Sequence, residues 1–97
     1  MTTSDMAVMA ELANFGDDYV GGARFLKKNF DRLSDDGNNR AYELVDAHFD
    51  DLPKEAQSII AMLAFRCDVG RKQLSKNLEV GASRLSDNDP LKKKIIG

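Results

Sequence analysis

The chain has no tryptophan, one cysteine, one histidine and two prolines in 97 residues. Each scarcity closes off a class. A lone Cys67 cannot form an internal disulfide. Set in the most apolar stretch, it reads as a buried thiol in a reducing compartment. A lone His48, with no second His or Cys at metal spacing, argues against a zinc site. Asp46, Asp50 and Asp51 stand near it, but a carboxylate cluster at a helix end is ordinarily solvated, and no positioned nucleophile accompanies it. No glycine-rich phosphate loop and no G-x-S-x-G elbow occur. An enzyme is therefore not expected, nor a cofactor. Long hydrophobic runs are missing too. The longest, IIAMLAF at 59–65, is seven residues, against about 20 for a bilayer span. No Lys or Arg precedes Arg24, so the basic start of a secretion signal is absent. A cytoplasmic protein that does not enter the membrane is the expectation.

Strand signals are equally sparse, since β-branched residues are few and no strict alternation persists. What remains is helical. At 42% hydrophobic and 31% charged, the chain suits one domain, and two cores do not fit this length. The expected fold is all-α, a bundle of five to six short helices over residues 1–97.

Apolar spacing and stop signals place the helices. Helix 1 is expected from Ser4 as N-cap to Gly16. Helix 2 starts near Asp17 and carries the stripe Tyr19, Ala23, Leu26, Phe30, Leu33. Gly21 and Gly22 weaken its first turn and permit a close approach there, by helix 1 or by a partner. The polar run SDDGNN at 34–39 reads as a turn. Helix 3 follows from about 39 to 49, with Tyr42, Val45 and Phe49 inward. Pro53 is expected at the first position of helix 4. That helix runs to about 67 or 68, is apolar on every side, and should be central. Helix 5 is expected near 71–78 and helix 6 near 83–87. Asp89 and Pro90 should open a last short helix.

Charge divides the chain. Residues 1–53 hold eleven acids and five bases, net −6, whereas residues 54–97 hold five and nine, net +4. A basic C-terminal half suits a polyanion and an acidic N-terminal half suits a basic partner.

Residues 74–88 resemble a helix-turn-helix motif. Leu74, Ser75, Leu78, Val80 and Leu85 fall where such a unit needs apolar and small residues, and Gly81 falls in its turn. The resemblance implies a DNA-binding regulator of transcription or of a mobile element. Ser83 and Arg84 would open the reading helix, Arg84 facing a guanine edge. Arg71, Lys72, Lys76, Lys92, Lys93 and Lys94 would hold phosphates. One short reading helix gives little specificity, so a homodimer joined by the N-terminal helices is expected. Asp87 and Asp89 oppose this reading by repelling phosphates.

The other expectation is a protein-binding inhibitor or adaptor that meets a basic protein surface through residues 17–51. Its candidate contacts are Asp17, Asp18, Phe25, Asp35, Asp36, Glu43, Asp46 and Asp50. Small acidic helical proteins of phages and plasmids block host nucleic-acid-binding complexes with surfaces of this kind. The stretch 32–43 has Gly37 and Glu43 at calcium-loop spacing, but Arg32 stands where the first carboxylate ligand belongs, so calcium is not expected.

Overall fold

The structure, a computed structural model, describes residues 1–66 and 75–96. Among these residues it is all-α, with no β-strand. The helices are α1 (Thr3–Ala13), α2 (Tyr19–Lys28), α3 (Asp35–Ala47), α4 (Lys54–Gln57), α5 (Ile59–Arg66), α6 (Lys76–Ser83) and α7 (Pro90–Ile96). Single 3-10 turns at Phe30–Arg32 and Phe49–Asp51 follow α2 and α3.

The expectation of a central, all-round apolar helix holds. Ile59, Ile60, Ala61, Leu63 and Ala64 of α5 are all buried, and α3, α6 and α7 pack on this helix. Val8, Leu26, Tyr42, Phe49, Leu78 and Leu85 complete the core around it. Each fully buried Leu or Ile side chain contributes roughly 1.5–3 kcal/mol. Asn38 is buried among them, and its Nδ2 donates to the Leu63 carbonyl at 2.9 Å, tying α3 to α5.

Helix starts are set by side-chain caps, and several lie elsewhere than the sequence pattern indicates. Thr2, rather than Ser4, caps α1. The Asp5 N–H donates to Thr2 Oγ1 at 3.1 Å and the Thr2 N–H returns a bond to Asp5 Oδ2 at 2.8 Å, a reciprocal capping box. Ser4 lies inside the helix and donates its hydroxyl to the Arg32 carbonyl. Asp18 caps α2. The expected turn at 34–39 is instead the beginning of α3. Ser34 is its N-cap, and Asp35 and Asp36 sit in the first turn, where the helix dipole favours acids. Pro53 is the N-cap of α4 rather than its first residue, and Ser58 interrupts the helix between α4 and α5. Asp89 does open α7, accepting from the Leu91 N–H at 2.9 Å.

The largest departure concerns the helix-turn-helix. The expected turn at 79–82 is the body of α6, which Ser75 caps through the Leu78 N–H at 3.1 Å. Gly81 lies inside this helix, at a point where α6 crosses α4–α5 so closely that a Cβ would fall 2.3 Å from Ile60 Cγ2 and 2.6 Å from the Gln57 carbonyl oxygen. The expected reading helix at 83–87 is not helical beyond Ser83, since Arg84 is the C-cap of α6 and residues 84–89 are turns and bends. Cys67, Leu74 and residues 71–74 of the expected helix 5 lie outside the described residues.

Candidate functional site

Two helices are joined at their starts by one carboxylate. Asp5, buried in α1, accepts from the Ser34 N–H at 2.8 Å and from the Ser34 hydroxyl, in addition to the Thr2 N–H. The same hydroxyl accepts from the Gly37 N–H. Gly37 leaves room for this, since a Cβ there would overlap the carboxylate. The Ser34 hydroxyl, helped by the Ser34 and Thr2 N–H groups, holds the Asp5 carboxyl down at about 2, against the opposing effect of burial.

A cleft of about 290 Å³ is lined by the later halves of α1 and α3. Met9, Leu12 and Ala13 of α1, and then Phe15, form one wall. Leu44, Val45 and His48 of α3, with Leu52, form the other. Tyr19, Gly22, Ala23 and Leu26 of α2 and Ile59 of α5 close the base. Gly22 touches the Leu12 and Phe15 side chains at ordinary van der Waals distance, so the close backbone approach expected there is not what this glycine provides. Leu44 is the exposed lip, 40% accessible. Among the described residues lining the cleft, Asp18 is the one formal charge, and there is no Lys, Arg, Ser, Thr or Cys. Asp17 neighbours Gly16 and Asp18, and Asp51 stands 3.6 Å from His48 Nδ1. The cleft is therefore apolar inside and acidic at the edge. Chemically it is built to bury apolar groups.

The acidic residues expected to act together are only partly together. Asp18 lines the cleft, Asp17 is the exposed residue before it, and Asp50 is exposed in the turn that carries Asp51. Asp35 and Asp36 sit at the far end of α3, about 16 Å from Asp46 at 1.5 Å rise per residue. Glu43 faces Arg40 at 3.5 Å in an exposed pair. Asp46 turns to α6 and accepts from Asn77 Nδ2 at 2.9 Å. Phe25 is half-buried against the Phe15 ring, in the turn after α1, with centroids 5.5 Å apart. His48 is exposed at the end of α3.

Of the expected nucleic-acid contacts, Arg71 and Lys72 lie outside the described residues. Lys76 is exposed at the start of α6. Ser83 ends that helix and donates to the Val80 carbonyl. Arg84 is exposed and its Nε donates to Gln57 Oε1 at 3.2 Å. Lys92 is tied to Asp87 at 2.7 Å, and this pairing lowers the Asp87 carboxyl. Lys93 is exposed, and Lys94 lies over the Phe65 ring at 5.1 Å. Ser83 and Arg84 thus stand at the C-terminal end of a helix, the opposite of the groove-reading position.

No group of three or more His, Cys, Asp or Glu among the described residues is placed to hold a metal ion. No described helix is long and apolar enough to cross a membrane. Comparison with protein-family models, curated proteins and solved structures finds no match to this chain.

Proposed function

We propose that this protein is a non-enzymatic binding protein, an adaptor or inhibitor, that engages a basic protein surface through its acidic N-terminal half. The observation that supports this is the open apolar cleft between α1 and α3, with Asp17, Asp18 and Asp51 at its edge. An apolar depression with a charged margin is the common form of a protein-recognition site. A nucleic-acid-binding complex, basic by necessity, is a partner of the right charge. The test is capture of a partner by the purified protein, compared across surface variants. Leu44→Glu with Asp17→Lys should abolish capture, and Lys76→Glu with Arg84→Glu should leave it intact. The reverse pattern overturns the reading.

A second reading, DNA binding by the C-terminal half, is favoured by exposed Lys76 and Lys93 in the basic half. Without a reading helix at 83–87, such binding rests on phosphate contacts and is largely independent of sequence. Fluorescence anisotropy of a labelled duplex, titrated to about 100 μM protein at low and moderate salt, tests it. Binding that weakens steeply with salt supports this reading, and no binding at low salt removes it.

A further inference from the structure

The chemistry of the cleft specifies its occupant more narrowly, provided that the cleft is the protein-binding surface proposed above. We infer that it receives an amphipathic helix with apolar side chains one turn apart and Lys or Arg beside them. Three observations lead there.

First, the walls are the later halves of α1 and α3 with the residues that follow them, and the backbone N–H groups of Phe15, His48 and Leu52 are engaged by carbonyls of their own helix ends and turns. They offer no row of free donors and acceptors to an extended segment. A strand laid in the cleft would bury its own backbone polar groups without partners, whereas a helix arrives with them already satisfied.

Second, the surface presented to the occupant is Leu12, Phe15, Leu44, Val45 and Leu52. Leucine-like side chains at i and i+4 share one face of a helix. They would enter together while Leu44, already exposed at the lip, closes over them.

Third, the charges at the edge have one sign. Asp18 lies on the lining, Asp17 precedes it in the chain and Asp51 is 3.6 Å from the lining residue His48. No Lys or Arg lines the cleft to compete for them. Cations flanking the apolar face of an incoming helix meet carboxylates, and acids there would be repelled. The α7 helix of a second copy has a related composition. However, Leu91 and Ile95 pack on its own core and Lys92 is held by Asp87. A separate partner is therefore the better occupant.

The experiment uses the full chain and three labelled synthetic peptides of helix-forming sequence. One has Leu at i and i+4 with Lys flanks, the second has the same leucines with Glu flanks, and the third keeps the Lys flanks with Ser in place of Leu. Anisotropy gives affinity and amide chemical-shift mapping gives the site. The inference expects the Leu/Lys peptide to bind roughly tenfold or more tightly than either control, given three acids at the edge. Its shifts should centre on Leu12, Leu44, Val45 and His48. Leu44→Glu, at an exposed position, should abolish binding while the amide spectrum stays folded. Equal affinity for the Glu-flanked peptide at the same residues overturns the inference but leaves the cleft as a binding surface. Shifts centred on α6 and α7, or no shift with any peptide, overturn both. Self-association of the free chain with shifts in the cleft replaces the separate partner with a second copy.

Discussion

Gly81→Ala offers the sharpest test of how α6 is seated. In an exposed helix this change stabilises by about 1 kcal/mol, because glycine loses more backbone freedom on folding. Here the new Cβ would lie 2.3 Å from Ile60 Cγ2 and 2.6 Å from the Gln57 carbonyl oxygen. Ile60 is fully buried, and the carbonyl belongs to the backbone, so neither yields without moving α6 away from α4–α5. Overpacking of this kind costs roughly 1–3 kcal/mol. The net expectation is a loss of up to about 2 kcal/mol. For a domain of this size each kcal/mol lowers Tm by about 4–8 °C. Gly22→Ala serves as the control. Its Cβ would meet Leu12 Cδ1 at 3.4 Å, ordinary contact, so most of the helix gain should survive. Urea denaturation followed by circular dichroism should therefore rank Gly22→Ala above the parent and Gly81→Ala below it. A Gly81→Ala protein more stable than the parent would refute the close crossing of α6 over α4–α5.

Ser75→Ala should destabilise by about 1 kcal/mol if Ser75 is the N-cap of α6. If Ser75 lay inside a helix over 71–78, the change would be neutral or stabilising, so thermal melts of this variant separate the two placements. Ile60→Ala should cost roughly 2–5 kcal/mol through a cavity in the core, read as a lower urea midpoint at unchanged slope. The Asp5 carboxyl titrates lower in the folded chain than its ordinary 3.8, at about 2. Its contribution to stability is complete above pH 3.8 and disappears as pH falls through 2, so acid titration of Asp5→Asn should lack that segment of the parent's stability loss.

The sequence made the architecture legible where one physical signal dominated. The all-round apolar stretch at 59–65 could only be a buried helix, and Asp89 followed by Pro90 could only start one. Where two signals competed, composition misled. Residues 34–39 are rich in turn formers, yet the same Ser and Asp residues are strong N-terminal helix formers, and a buried contact with Asp5 decided between them. Residues 79–82 offered a glycine that suits a turn. A close helix crossing needs glycine as much as a turn does, and here the glycine serves the crossing over α4–α5 inside a helix capped by Ser75. The motif-like spacing of Leu78, Val80 and Leu85 reflects core packing, since all three face or join the core. The cleft was not readable at all. Leu12, Leu44 and Leu52 carry no local signal that sets them apart from core leucines, and only the tertiary placement of α1, α2 and α3 brings them to one cleft.

That placement has a mechanical side. The Asp5–Ser34 contact fastens α1 and α3 where both begin, and the cleft opens where both end. The two helices thus form the arms of a pair of tongs, with the carboxylate as rivet and α2 as the floor between the jaws. Met9, Leu12, Leu44 and His48 at the cleft therefore lie at the far end of both helices from the one carboxylate that joins them, so the fastening and the opening share no residue.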